Sequence, residues 1–286
     1  MKSNAIIRIV LFSLAILIGV SLLLFALGAI RFPVQLKADE KQTSSSWVNA
    51  DDVVNIHVEW VAGSVNFKYA NTNRISFEEV GNFPESEKMV WSKVDNTLNI
   101  RFSPRKSFVT IDLGFLSTTP VYKKDLTITL PTKWAGREVQ VEAVSADIYA
   151  NDLVCDILDV DAVSGNVYAN HLRVKELTVD GVSGNINASG VFEKVDMDCV
   201  SGNCDLVVQN NAKQIDFDGV SGNLNITLVE PSGFVCKVEA PLNVFRSEFE
   251  TTRVDKVFTY GDAAIKIYVD GVSGTVNIKD GGSSQK

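Results

Sequence analysis

DGVSGN occupies residues 180–185 and recurs letter for letter at 218–223. DAVSGN (161–166), DCVSGN (198–203) and DGVSGT (270–275) are near-copies, and EAVSAD (142–147) is a weaker one. A catalytic motif is needed once, whereas a structural corner is needed once per turn of a coil. The Ser of each copy falls at 145, 164, 183, 201, 221 and 273, so the steps are 19, 19, 18, 20 and 52. A fixed period of this size is the signature of a stacked array.

Aligning the copies on that Ser gives columns. Six before it stand Val139, Leu158, Leu177, Val195, Ile215 and Ile267; four before, Val141, Val160, Val179, Met197, Phe217 and Val269. Three after it stand Ile148, Val167, Ile186, Cys204, Leu224 and Val276; five after, Ala150, Ala169, Ala188, Leu206, Ile226 and Ile278. Each copy therefore reads as one alternating strand before the corner and another after it, with one face inward. Two short strands cannot bury a face alone, but stacked coils can. The residue before every Ser is Val, and the one before that is Ala, Gly or Cys. A small residue there suits a bend that turns the Val column inward. Gly and Asn suit the turn itself, and Asn166, Asn185, Asn203 and Asn223 are expected to stack as an amide ladder.

Outside the repeat the chain divides by composition. Residues 9–30 carry no charge over 22 positions, the length of a membrane-spanning helix. The expected organisation is a cytoplasmic N-terminus (1–8), a transmembrane anchor (9–30) and a linker (31–46). A β-rich part (47–135), the solenoid repeats (136–280) and a polar tail (281–286) follow. Ala26, Gly28 and Ala29 keep a cleaved signal as the alternative to the anchor. Lys2 and Arg8 against Arg31, Lys37 and Lys41 lend slight support to an N-in orientation. VVNIHVEW (53–60), SVNFKYA (64–70), RISFEEV (74–80), TLNIRFS (97–103) and LTITLP (126–131) alternate as half-buried strands. Within the 52-residue step, 232–249 reads as a degenerate coil, 251–262 as an excursion and 264–278 as a last regular coil. The fold class expected is all-β: a β-solenoid with two short strands per coil of ~19 residues, a β-rich region before it and one transmembrane helix.

LTITLPTKW (126–134), VEAVSADIYA (141–150), the serial VSGN copies, PSGF (231–234) and GDAAIKIYVDGVSGTVNI (261–278) together resemble the bacterial "putative adhesin" family of β-strand-repeat proteins. The resemblance runs over roughly residues 50–280 and implies an exported, often membrane-anchored β-solenoid. It implies no catalytic residue, and some members are associated with envelope-stress operons. Ala146 in place of Gly and the late excursion depart from the pattern.

The column three before the Ser is wholly acidic: Glu142, Asp161, Asp180, Asp198, Asp218 and Asp270. Asp159, Asp196 and Asp216 add a second carboxylate two residues earlier. Residues 138–230 hold 16 Asp and Glu against 4 Lys and Arg, a balance of -12 in a chain of -8. Such crowding needs an offset. Asp159, Asp161, Asp196, Asp198, Asp216 and Asp218 are the candidate ligands if that offset is Ca²⁺, a hard cation that takes oxygen donors. The other readings are Asp side chains bonding the turn backbone and charge that keeps strands from pairing with foreign edges. No other cofactor is expected.

GVSGN lacks the final Gly of a hydrolase elbow, and His57 and His171 cannot serve six serines. A lyase would need bases, and the regular coils hold only Arg173, Lys175, Lys194 and Lys213. The acidic repeat argues against nucleic acid. Cys199 and Cys204 read as buried small residues, with a disulfide across the corner as the alternative. Tyr149 and Tyr168 stand at matching outward positions, either covering a solenoid end or starting a glycan platform. The chain is expected to be a non-enzymatic, single-pass protein of the cell membrane with an extracytoplasmic interaction domain. Its partners are the membrane and an envelope protein or surface glycan, and the rival is a calcium-dependent glycan-binding or lyase module.

Overall fold

The computed structural model describes residues 42–103, 122–209, 212–239 and 244–282. The expected transmembrane segment at 9–30 lies outside the described residues. Among the described residues no helix is long and apolar enough to cross a membrane. Among the described residues seventeen strands form one continuous sheet. They are β1 (Gln42–Asn49), β2 (Asn55–Ala70), β3 (Arg74–Gly81), β4 (Val90–Val94), β5 (Thr97–Arg101), β6 (Lys124–Pro131), β7 (Gly136–Tyr149), β8 (Val154–Ser164) and β9 (Val167–Ser183). They continue with β10 (Ile186–Val191), β11 (Lys194–Gln209), β12 (Gln214–Val229), β13 (Gly233–Val238), β14 (Val244–Ser247), β15 (Thr252–Val254), β16 (Val257–Gly261) and β17 (Ile265–Asp280).

From β7 to β12 the strands stack in parallel at the period of the sequence. Ser145 pairs with Ser164, Ser164 with Ser183, Ser183 with Ser201, Ser201 with Ser221 and Ser221 with Ser273. The apolar columns fill a single core. Val139, Leu158, Leu177, Val195, Ile215 and Ile267 are all buried, as are Ile148, Val167, Ile186, Cys204, Leu224 and Val276 on the second strand of each coil.

The Val column does not turn inward. Val144, Val163, Val182, Val200 and Val220 are half-buried on the outside, while Ala143, Ala162, Cys199 and Gly271 occupy the interior. The reason is volume. Strict alternation carries the residue two before the Ser into the narrow inside of the corner, where a branched side chain would meet the opposite strand. An ideal Cβ on Gly181 already lies 3.2 Å from Ile186 Cδ1. The phase then changes across Val-Ser, two consecutive outward residues.

Each letter of the corner binds the coil before it. Ser183, Ser201, Ser221 and Ser273 Oγ donate to the carbonyls of Val163, Val182, Val200 and Val220 at 3.2–3.4 Å. Gly165, Gly184, Gly202, Gly222 and Gly274 adopt φ between +129° and +145°, a region open chiefly to glycine. A Cβ on Gly184 would fall 2.0 Å from the carbonyl oxygen of Gly165, and the other four meet the same obstacle. Asn185 Nδ2 donates to Asn166 Oδ1, Asn203 to Asn185, and Asn223 to Asn203, at 2.9–3.4 Å. The expected amide ladder is thus present, with Asp147 accepting at one end and the Thr275 hydroxyl donating at the other. Ala146 avoids the glycine requirement by keeping an ordinary φ and burying its methyl group.

Both ends are closed by strands that return from elsewhere in the sequence. Segment 232–249 is not followed by a last coil stacked outside it. β17 lies directly on β12, and β13 and β14 pair on the far side of β17. β16 and β15 then complete this end as antiparallel strands. At the other end β2 lies on β7, with Ala62 opposite Ser145 and Gly63 opposite Ala146. WVAGS (60–64) is therefore a further corner in the same register, without the VSGN spelling. β5 and β6 cover β2, and β3, β1 and β4 add antiparallel strands. β1 begins at Gln42, inside the stretch read as linker. Its Ser run pairs with β3 while its side chains stay largely exposed, which is why a polar composition serves.

This end also buries an ion pair. Lys124 and Glu79 are wholly inaccessible, with Nζ 2.7 Å from Oε2. Lys124 Nζ also donates to the carbonyls of Glu87 and Phe102, and the rings of Phe102, Phe83 and Trp60 surround it. Glu79 Oε1 accepts from the Met89 N–H at 2.6 Å. Glu79 Oε2 has the Lys124 ammonium as its partner. Desolvation lowers the Lys124 pKa, and Glu79 opposes that shift.

Two mutational outcomes follow. Gly184→Ala forces a methyl group against the Gly165 carbonyl and should cost about 1–3 kcal/mol, read as a lower Tm, with Ala146→Gly as a mild control. An unchanged melt for Gly184→Ala would refute the close-contact account. Lys124→Met leaves Glu79 buried without a counter-charge and should cost about 3–5 kcal/mol. The double change with Glu79→Leu should recover most of it in chemical denaturation.

Candidate functional site

The structure places all six predicted ligand candidates on the outer face of the first-strand layer, in two adjacent columns. Asp196 pairs with Asp216 and Asp198 with Asp218, a two-by-two block of carboxylates. Asp159 and Asp161 sit two coils away, separated from the block by Thr178 and Asp180. The acidic column is continuous from Glu142 through Asp161, Asp180, Asp198 and Asp218 to Asp270. Among the described residues no group of three or more His, Cys, Asp or Glu side chains is arranged to hold a metal ion.

Parallel in-register pairing sets like charges about 4.8 Å apart, beside the half-buried Val column. Desolvation first, then the neighbouring carboxylates, raises the pKa of Asp198 to about 7 and those of Asp180 and Asp218 to about 6. Asp159, Asp161, Asp216 and Asp270 are raised too, burial again coming first. Asp180 keeps more than a third of its surface in water, so screening weighs most on its value. Asp161 and Asp180 act on one another, the contact lowering Asp161 and raising Asp180, while the Gly271 backbone acts to lower Asp270. Lys194 reaches Asp196 at 3.4 Å, Gln214 donates to Asp216, and His57 lies 3.2 Å from Glu142.

A second charged column, which the sequence reading passed over, behaves in the opposite way. Eight before the Ser stand Arg137, Asp156, Lys175, Glu193 and Lys213, alternating in sign. Lys175 pairs with Asp156 at 2.7 Å and Lys213 with Glu193 at 2.5 Å. Its signal lay in the same period as the VSGN copies. The fold thus balances charge between coils in one column and leaves another uniformly acidic. The buried Lys124–Glu79 pair was also missed, because isolated charges in a sequence read as surface.

The outer face of the second-strand layer is rich in amides. Asn225 Nδ2 donates to Asp205 and Asn277 to Asn225, at 2.7 and 2.8 Å. A further row joins Asn151, Asn170 and Ser189. Tyr149 and Tyr168 stack at 5.1 Å with ring planes 14° apart. The predicted pair is therefore real, but each ring spends one face on the other.

The family pattern described as Toastrack DUF4097 matches residues 53–231, more than half of the 286-residue chain. The chain belongs to the Toastrack DUF4097 family. The matched span runs from just before β2 to just after β12, so the Toastrack match contains the regular stack and leaves out β17. Three solved structures are similar to the Toastrack chain. A "putative cell adhesion protein" from Clostridium sporogenes is 15% identical, with 84% of this chain and 100% of that one covered and a TM-score of 0.41. A "putative adhesin" from Bacteroides fragilis is 14% identical, with 82% and 97% covered and a TM-score of 0.45. A "putative lipid binding protein" from Parabacteroides distasonis is 13% identical, with 84% and 95% covered and a TM-score of 0.35. No curated protein matches the chain.

The acidic column makes stability depend on pH in an unusual direction. An Asp whose folded pKa is raised binds its proton more tightly in the folded state than in the unfolded one. Its contribution to stability is present below about pH 4 and is lost as pH rises through the folded values of about 6 to 7. These carboxyls remain partly solvated, so the combined effect is discounted to about 1–2 kcal/mol. The Tm should therefore be higher at pH 5 than at pH 7.5 by about 2–8 °C. Asp198→Asn with Asp218→Asn should raise the Tm at pH 7.5 and flatten the profile. A calcium-dependent rise at pH 7.5, abolished by Asn at 196, 198, 216 and 218, would make the block a cation site instead.

Proposed function

We propose that this chain is a non-catalytic interaction protein of the cell envelope. Residues 9–30 anchor it in the membrane, and its Toastrack domain projects on the extracytoplasmic side. The observation that carries this reading is the register of the stack. Every coil places its side chains in register with those of the next, so each face is a set of straight rows with a spacing of about 4.8 Å. A rigid surface of that kind suits an extended or repeating partner, such as a glycan chain or an envelope protein. The amide face offers uncharged donors and acceptors, and the acidic face excludes polyanions.

A second reading, calcium-dependent glycan binding, would require the carboxylates of Asp196, Asp198, Asp216 and Asp218, which pair as a block but are not arranged as a ligand set, to close on the ion. Photo-crosslinking residues placed at Asn187 and Asn225, and separately at Thr178, test both in intact cells. We expect one reproducible envelope partner from the amide-face positions, lost when Tyr168→Ala and Asn187→Lys are combined in a chain that still melts normally. Chelator-sensitive capture of wall glycan from position 178 alone would favour the second reading. Hydrolase or lyase activity abolished by a point substitution would overturn the non-catalytic reading.

A further inference from the structure

The residues two before and three after each Ser face each other across the inside of the corner. The pairs are Ala143 with Ile148, Ala162 with Val167, Gly181 with Ile186, Cys199 with Cys204, Gly219 with Leu224 and Gly271 with Val276. Cys199 pairs in register with Gly181 and Cys204 with Ile186, and a Cβ on Gly181 would lie 3.2 Å from Ile186 Cδ1, so the two cysteines stand on facing positions of the corner. Five corners combine a small residue with a large aliphatic one. The sixth combines two residues of intermediate size, so the volume of the corner is kept while two sulfur atoms are set against each other.

We propose that Cys199 and Cys204 are an oxidisable pair that closes a disulfide inside this corner. The closeness of Cys204 favours the thiolate at Cys199, while the same closeness together with burial holds the proton on Cys204. Cys199 is also the more accessible of the two, at 6% against 0%. It is therefore the attacking sulfur, because the thiolate is the nucleophile. Cys155 and Cys236 are buried elsewhere, and desolvation pushes each up to about 12, so they stay protonated.

The oxidant is an external low-molecular-weight disulfide. The Cys199 thiolate attacks one of its sulfur atoms, forming a mixed disulfide and releasing one thiolate. Cys204 gives up its proton and attacks the Cys199 sulfur, expelling the second thiolate. Two protein thiols lose two electrons, and the external disulfide gains them. The two protons end on the released thiols.

The test is a thiol count on the full-length chain, reduced and then incubated with oxidised glutathione, both folded and during refolding from denaturant. Denaturing alkylation and peptide mass then locate the free thiols. We expect four before oxidation and two after it, with Cys155 and Cys236 alkylated and the peptide carrying 199 and 204 lighter by two hydrogens. The variant Cys199→Ala with Cys204→Val copies the Ala162–Val167 corner. It should fold, melt cooperatively and keep two free thiols throughout. Four thiols remaining after oxidative refolding, or loss of Cys155 or Cys236 in place of the pair, would overturn the proposal.

Discussion

The glycine of each VSG corner rests on the carbonyl oxygen of the corner before it, with no room for a methyl group between them. That contact fixes the height of a coil and the direction in which its backbone turns. With height and direction set, the Ser hydroxyl reaches the preceding Val carbonyl and the Asn amide reaches the preceding Asn. The sheet registers of both layers follow, because a slip of one residue would push every apolar column out of the core. The motif is thus a unit of coil-to-coil bonding, and its repetition has a mechanical cause.

Once register is imposed, every column becomes a row of stacked neighbours, which magnifies whatever chemistry the column carries. Amides gain, since each is both donor and acceptor to the next. Alternating Lys and acid residues gain modestly at an exposed surface. A column of carboxyls loses, and the loss appears as raised proton affinity. The regular core can bear that burden because it is continuous from the first corner to the last.

The period, the buried columns and the amide ladder were legible because they are written once per coil. The direction of the Val column was not. Hydrophobicity argued for the interior, whereas the interior of the corner is too narrow for a branched side chain, and only the facing residue reveals it. The ends were hidden for another reason. β2 pairs with a strand 83 residues later (Asn55 with Glu138), and β17 with one 52 residues earlier. Nothing local in WVAGS announces a corner, and nothing in Glu79 or Lys124 announces burial. The acidic rows were visible as a composition, but their joining into one block and one column required the register.

The returning strands confine variation in size to the middle of the molecule. Each end is built from segments that must fit one another, so neither tolerates a change in number. Between β7 and β12, by contrast, the coils share one corner and stack Ser on Ser. A whole coil inserted or deleted there would leave both termini of the stack intact and change its length by about 4.8 Å. The domain is in that sense a ruler graduated in single coils, whose length can be reset by duplication of one short stretch of gene without redesign of either end.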